Sequence, residues 1–525
     1  MEGMQRMKPE KKSTLERVGV LAVAFIVQIV WFVIIMNNIV AYSAYIQFAF
    51  TFASIIMVLY LVNKDESPAY RMSWIIAITL FPLFGGILYL MIGNKRPIIW
   101  MRRSVDLLQK LHSKEMTSVP SAQEYLEKKD KRLSALSQYI SNYAHMPVYT
   151  NTDAKYFPNG ESMMSSLIYD LKQAKSTIFI EFFIVETGVM FDSIFEVLKE
   201  KAKEGVDVRF LYDDFGSITR LPKDFDEQLE ELGIKALKFN PVKPLISMVY
   251  NTRDHRKFVI IDSEIGYTGG LNIADEYINV KERFGYWKDN MVRIQGPATW
   301  NLTNLFLNMW NSFYYTDESY EPFRIDHIMN ETREIQEDEA AMNEMGFVQP
   351  FGDTPLDVEP VGENVYREIL NYAQDYVYIY TPYLVISYEL QTAMQLAAKR
   401  GVDVRLMTPG IPDKKMVFRL TRSYYRPLMK AGIKIYEYTP GFLHAKTFVS
   451  DDKVATVGTI NLDYRSLYLH FETSTMFYYH PVIEDISKDF LDSQAKSRRI
   501  QLQDIKVGLI GSVWDAVLRL IAPFV

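Results

Sequence analysis

Two stretches of this 525-residue chain carry the same arrangement of chemically active side chains: His255-Arg-Lys257-Phe-Val-Ile-Ile-Asp262 and His444-Ala-Lys446-Thr-Phe-Val-Ser-Asp451. Both read H-x-K-x-x-x-x-D. In an extended strand side chains alternate faces, so a His and a Lys two apart point the same way. The apolar residues next in line, Val259, Ile260 and Ile261 in one copy and Phe448 and Val449 in the other, fit a buried strand. Each copy sets a nucleophile or proton carrier beside a fixed positive charge, a pairing suited to a phosphate ester. One copy alone reads equally well as a strand-edge His beside a solvated Lys. Two copies favour chemistry, and the segments downstream add to that: Gly269-Gly-Leu-Asn272 and Gly458-Thr-Ile-Asn461 stand in the same register after their motifs.

Two imidazoles can share one displacement at phosphorus. One attacks and becomes a phosphohistidine; the other protonates the leaving alkoxide and then takes a proton from the incoming alcohol. Imidazole titrates near neutrality, so it can hold either state. Lys257 and Lys446, with Asn272 and Asn461, can bind the non-bridging oxygens. Two lysines supply the charge a metal would bring, so no metal is expected. A catalytic His also needs a partner on its other ring nitrogen. Asp289 (in Trp-Lys-Asp) and Glu472 (in His-Phe-Glu) lie a similar distance downstream of their motifs and are the candidates, against a reading as ordinary surface carboxylates.

These residues need strands and helices to hold them. From about 149 an α/β alternation begins: Ile178 to Ile184 reads as a strand, Phe191 to Glu204 as an amphipathic helix, and Val206 to Tyr212 as the next strand, with Gly205 a helix stop. The same order returns later. Glu204-Gly-Val-Asp-Val-Arg-Phe-Leu is echoed by Arg400-Gly-Val-Asp-Val-Arg-Leu-Met, and Leu232-Gly-Ile-Lys by Ala431-Gly-Ile-Lys, each ahead of its own motif. A whole domain is duplicated. The expected division is a basic N-terminus (1–17), a membrane region (18–94), a helical linker (95–148), a first repeat (149–315), an acidic connector (316–356), a second repeat (357–497) and a tail (498–525) that reads chiefly as a packed terminal helix.

The membrane region rests on three apolar stretches without a charged residue, 18–36, 39–62 and 73–92. Each has about the 20 residues a helix needs to cross the hydrocarbon core. The third carries Pro82 and Gly85-Gly86, which kink or break a helix. Basic residues flank the region, Arg6 to Arg17 before it and Lys95, Arg96, Arg102 and Arg103 after it. The charge rule therefore predicts two crossings, a re-entrant or interfacial third segment and a cytoplasmic catalytic part. With no cysteine, disulfides and thiolate metal sites are excluded, and the seven histidines show no paired metal-ligand spacing. A net charge of −6 weighs against a general nucleic-acid binder.

The paired motifs resemble the phospholipase D superfamily, and within it the chain is similar to the bacterial cardiolipin synthases. Tyr212-Asp-Asp-Phe-Gly-Ser217, Asn251 to Lys257, Gly269 to Tyr277, Thr381-Pro-Tyr383, Gly441 to Lys446 and Asn461-Leu-Asp-Tyr-Arg-Ser466 carry the resemblance, over roughly residues 40 to 525. It implies two tandem domains, each a mixed sheet flanked by helices, that share one active site behind N-terminal transmembrane helices. It implies His255, Lys257, Asp262, His444, Lys446 and Asp451 as catalytic residues, with His255 the nucleophile and His444 the general acid and base. The implied substrate is phosphatidylglycerol in a membrane, giving cardiolipin and glycerol with no cofactor. A lipid hydrolase, a phosphatidyltransferase using another alcohol, a nuclease and a non-catalytic membrane scaffold are the alternatives. Two positions depart from the family pattern: His470 stands where Asn is expected, and 18–36 is an apolar segment beyond the usual two.

Overall fold

The strand and helix patterns of each repeat are realised as one mixed sheet. The computed structural model describes residues 43–64, 66–93, 120–241, 252–314, 319–324, 345–357 and 359–524. In the first repeat, β1 (Asp153–Phe157), β2 (Thr177–Phe182), β3 (Asp207–Asp213), β4 (Lys235–Phe239), β6 (Lys257–Ile261), β7 (Ile265–Gly269) and β9 (Met291–Gln295) form a sheet in the order β1-β9-β7-β6-β2-β3-β4. Two short strands, β5 (Arg253–Asp254) and β8 (Tyr286–Lys288), stand apart from it. The second repeat has β10 (Phe347–Asp353), β11 (Tyr376–Tyr380), β12 (Asp403–Pro409), β13 (Lys434–Tyr438), β14 (Gly441–Leu443), β15 (Thr447–Ser450), β16 (Val454–Gly458), β17 (His470–Tyr478) and β18 (Ser497–Arg499). Its order, β10-β17-β16-β15-β11-β12-β13, reproduces the first sheet strand for strand, with β18 added at the edge.

In both sheets the three strands at one side run parallel and the others pair antiparallel. The parallel strands need crossover helices, and Val189–Lys203 and Tyr388–Lys399 supply them. Gly205 (φ 91°) and Gly401 (φ 103°) come directly after these helices in a left-handed conformation, which glycine adopts without strain.

Strand alternation decides what the two sheets share. Ile178 and Ile180 pack into a core belonging to the first repeat. Phe179 between them joins a second core that also takes Phe258 and Val292 from the first sheet and Tyr380, Val449 and Phe477 from the second. The helices Thr299–Tyr314 and Val482–Ala495 fill the same core with Phe306, Trp310, Ile486 and Phe490. The repeats are thus fused through one apolar interior, which holds a site built between them in fixed geometry.

Two boundaries differ from expectation. β10, at Phe347–Asp353, lies inside the expected connector but pairs along β17 and belongs to the second sheet; its Phe347, Val348 and Phe351 are buried, and that burial outweighs the acidic composition around it. Residues 325–344 of that connector lie outside the described residues. The expected linker contributes helices Pro120–Lys129 and Lys131–Tyr143, whose Leu126, Leu133 and Ile140 are buried in the second repeat's core.

The apolar stretch 18–36 and the start of 39–62 also lie outside the described residues. From Ser43 the chain forms α1 (Ser43–Val62), then α2 (Pro68–Leu80) and α3 (Pro82–Leu88). Among the described residues no helix is long and apolar enough to cross a membrane, so the expected transmembrane helices and multi-pass topology find no support there. For the third stretch the reason is local. Proline at 82 starts a new helix, leaving pieces of 13 and 7 residues. α3 then packs so closely on α2 that a Cβ at Gly85 would fall 2.4 Å from the Ala77 carbonyl oxygen.

Candidate active site between the repeats

Each motif histidine sits just before its strand, β6 or β15, at the end that meets the other repeat. β5 pairs in parallel with the start of β17, and the His255 amide donates to the Phe471 carbonyl at 2.9 Å. The mirror arrangement pairs β14 with β8, and the His444 amide donates to the Lys288 carbonyl at 2.7 Å. Each histidine is thereby laid beside the opposite repeat's carboxylate. His255 Nδ1 is 2.9 Å from both oxygens of Glu472, and His444 Nδ1 is 2.7 Å from Asp289 Oδ2. The histidine–carboxylate pairs cross between repeats, so neither repeat holds a complete pair of its own.

Asp289 accepts the Nδ1 hydrogen of His444, which leaves the Nε2 lone pair free. Lys446 Nζ also lies 2.9 Å from that Nδ1, but one nitrogen cannot both donate to Asp289 and accept from Lys446. Lys446 instead donates to the His444 carbonyl, as Lys257 does to the His255 carbonyl at 2.5 Å. Aromatic rings enclose both imidazoles: Phe183 stands edge-on to His255 at 5.0 Å, and Tyr277, Trp287 and Phe442 surround His444 at 5.5–5.7 Å.

Burial dominates the electrostatics. It pushes Lys257 down to about 7 and Lys446 down to about 8, with Lys257 lowered further by Lys446. Burial and then Lys446 bring His444 down to about 4, and burial and then Lys257 hold His255 well below its usual value. Burial would raise Asp289, but His444 and Lys446 override it and keep the carboxyl below its ordinary range. Glu472 differs. Burial lifts it to about 8 in spite of Lys257 and the hydroxyls of Ser466 and Thr459. With only the protein's own groups around them both imidazoles are therefore neutral, and an entering phosphodiester anion would shift them and the lysines towards their charged forms.

The two halves differ at a matched position beside these carboxylates. Gly270 and Thr459 hold the same place after their motifs. A Cβ on Gly270 would fall 2.0 Å from Asp289 Oδ1, so glycine there makes room for the carboxylate. Thr459 Oγ1 donates to Glu472 Oε2, and Ser466 Oγ donates to Oε1.

The asparagines differ too. Asn272 is used within the protein, its Oδ1 accepting from the Ile184 amide at 2.9 Å and its Nδ2 donating to the Tyr277 hydroxyl at 2.7 Å. Asn461 Oδ1 is buried without a partner among the described residues.

Two expected catalytic residues are elsewhere. Asp262 stands just past the far end of β6, and its carboxylate accepts from the amides of Lys175, Ser176 and Thr177 at 2.7–2.9 Å. Asp451 does the same after β15, accepting from the amides of Gln374, Asp375 and Tyr376. Asp262 lies five positions beyond Lys257, about 16 Å at about 3.3 Å per residue, so neither aspartate can reach the chemistry. They fasten the starts of β2 and β11, the strands beside their own motif strands. Both have positive φ, 52° and 55°, which a short polar side chain tolerates.

His470 is a site residue that spacing did not reveal as one. It is buried, its ring centre lies 5.5 Å from that of His255, and neither ring nitrogen has a hydrogen-bond partner among the described residues. Its only signal in the sequence is the departure from the family's Asn. His255, His470 and Glu472 offer ligand atoms within 4.8 Å of one another, a grouping that could hold a metal ion. Glu472 is already engaged by two hydroxyls and His255, and Lys257 lies close enough to perturb all three, which weighs against a cation there.

Comparison with known proteins identifies the family. A family model described as "Cardiolipin synthase, PLD-like domain" matches residues 167–310 and again 366–493, and one described as "Phospholipase_D-nuclease N-terminal" matches 50–94. The chain is 42% identical to an uncharacterized Streptococcus mutans protein, over 89% of this chain and 99% of the relative. It is 32% identical to a Bacillus anthracis cardiolipin synthase 1, covering 96% and 99%, and 32% identical to a Geobacillus cardiolipin synthase, covering 90% and 92%. Among solved structures, Haemophilus influenzae phosphatidylserine synthase superposes with a TM-score of 0.55 at 14% identity, covering 74% of this chain and all of that one. At that identity the likeness concerns the fold alone.

Proposed function

This chain belongs to the cardiolipin synthase family of the phospholipase D superfamily, and from that premise we propose that it transfers a phosphatidyl group from one phosphatidylglycerol to another, giving cardiolipin and glycerol. The observation that carries the reading is the crossed pair of histidine–carboxylate contacts, which puts two oriented imidazoles and two lysines in one buried site.

In the first step His255 Nε2 attacks phosphorus and the bond to the headgroup glycerol oxygen breaks. His444, protonated once the phosphodiester anion is bound, gives its proton to that oxygen. In the second step a hydroxyl of the acceptor headgroup passes its proton to His444 and attacks phosphorus, and the phosphorus–nitrogen bond breaks. Lys257 and Lys446 hold the non-bridging oxygens, with Asn461 aiding them, while Glu472 and Asp289 fix the imidazoles. Asn272 supports the site through Tyr277, and His470, whose ring nitrogens make no hydrogen bond among the described residues, offers contacts to a headgroup hydroxyl. One phosphodiester is exchanged for another, so the exchange requires neither nucleotide nor metal.

Incubating the purified protein with phosphatidylglycerol alone tests the reading: cardiolipin and glycerol are expected in equal amounts. Phosphatidate without cardiolipin would replace it with a hydrolase. In the same reading the N-terminal apolar region meets the membrane and the repeats lie on the cytoplasmic side, a placement supported by its basic flanks. A cysteine introduced at exposed Gln503 should resist an impermeant thiol reagent in intact cells, and its ready labelling would put the repeats outside.

A further inference from the structure

The C-terminal helix leaves a long apolar stripe outside the fold. The basic helix α4 (Lys415–Lys430) packs against α5 (Leu509–Ile521), whose Leu518 is buried while half-buried Asp515 and exposed Arg519 reach across to α4. Asp515 pairs with Arg419 at 2.7 Å, and Arg519 donates to Ser423 and lies 4.9 Å over the Tyr424 ring. The opposite face, Ile510, Val513, Trp514, Val517 and Ile521, keeps helical i, i+3, i+4, i+7, i+11 spacing and points outward. Ile510 is 86% exposed and Val513 59%, although a folded helix ordinarily buries such a stripe.

Three observations say what covers it. The Ser73 hydroxyl on α2 donates to the Leu520 carbonyl at 2.7 Å, tying α5 to the N-terminal helices. Those helices expose large apolar side chains of their own, Phe48, Phe52, Ile55 and Leu59 on α1 and Met72 and Leu80 on α2. Exposed Lys414, Lys415 and Lys506 lie at the start of α4 and just before α5. An apolar stripe with a tryptophan, beside lysines and continuous with a second apolar surface, has the composition of a helix lying in a membrane interface. A second copy of the chain would gain from the apolar stripe but not from the lysines.

We propose that α5 lies in the plane of an anionic lipid bilayer, its Ile510–Ile521 stripe at the acyl boundary, and holds the second repeat against the membrane surface. The binding claim stands without turnover; only its consequence for activity rests on the lipid-transfer reading. α4 begins two residues after Asp413, which accepts from the hydroxyl of Tyr383, and Tyr383 packs at 6.4 Å from Phe442 beside His444. A bilayer under α5 and α4 would therefore lie near the site.

The cysteine-free chain allows a direct test on the full-length protein. Nitroxide labels are attached at Val513→Cys, Val517→Cys and the exposed control Gln503→Cys, with phosphatidylglycerol vesicles added. Labels at 513 and 517 are expected to become accessible to oxygen and shielded from a water-soluble nickel chelate, while that at 503 stays aqueous. Aqueous behaviour at all three, or shielding at 513 and 517 that needs no lipid and brings spin–spin broadening from a second copy, would overturn the proposal. These readouts do not depend on catalysis, so their failure is separate from failure of the transfer reading. Where turnover is present, Ile510→Ser/Val513→Ser/Val517→Ser should lower the rate on vesicles about tenfold or more and leave it unchanged on detergent-dispersed substrate. Equal loss on both would again overturn it.

Discussion

Replacing Asp289 with asparagine should cost far more than the one charge it removes. Asp289 uses Oδ2 to accept the Nδ1 hydrogen of His444 at 2.7 Å and Oδ1 to accept the Asn290 amide at 2.9 Å. Asparagine has one acceptor for these two donors. If its oxygen keeps the Asn290 amide, its NH2 faces Nδ1, and His444 must move its hydrogen to Nε2 and lose the lone pair that takes a proton from the acceptor. If the amide flips, the Asn290 N–H is left buried and unpaired. Either way the productive tautomer becomes a minor state. The same change in a Ser-His-Asp triad costs about 10⁴ in turnover, and a loss of about 10³–10⁴, or about 4–5.5 kcal/mol, is expected here. The nearly isosteric change should leave thermal unfolding close to wild type. Initial rates of cardiolipin formation from dispersed phosphatidylglycerol, beside a melting curve, measure both. A variant that melts normally and retains more than a tenth of wild-type activity would refute the tautomer argument. Glu472→Gln should lose less, because the hydroxyls of Ser466 and Thr459 can rotate to suit an amide.

The same geometry sets four further outcomes. His255→Ala and His444→Ala should each abolish cardiolipin formation, since the crossed pairs make one site; near wild-type turnover by either would contradict a shared site. With the lysines brought down to about 7 and about 8 in the free protein, kcat/KM should fall as pH rises through that range while their positive charge is lost. The bound phosphodiester favours the ammonium form, so kcat should hold to higher pH, and paired pH profiles would separate the two. Gly270→Ala should drive the Asp289 carboxylate from its place and lower turnover within about tenfold of Asp289→Asn, with about 1–3 kcal/mol lost from stability on chemical unfolding. Chelator should leave turnover on well-dispersed substrate largely intact; activity lost and restored by only one divalent metal would show that the lysines do not supply the charge.

Much of the site was legible along the chain because its first rules are local. A His and a Lys two apart share a strand face, glycine at 205 and 401 ends a helix, and the repetition of both patterns declares two like domains. Asp289 and Glu472 could be named as candidates from their distance to each motif. The resemblance misled at one point. It implies the aspartate closing H-x-K-x4-D as catalytic, yet the length of one strand carries Asp262 and Asp451 out of reach, and a turn at the far end uses them.

Spacing fixes which face a residue occupies, not which strand comes to lie beside it. The partner of His255 is 217 residues away, and nothing in either segment specifies that pairing. It is decided by the apolar core between the sheets, where Phe179, Phe258, Val449 and Phe477 bury one another and bring β5 alongside β17 and β14 alongside β8. The same closure sets Gly270 against Asp289, puts Thr459 on Glu472 and places His470 beside His255. The sequence by itself determined two half-sites and the class of reaction they suit. Only burial of the shared core decided that each half-site is completed by the other.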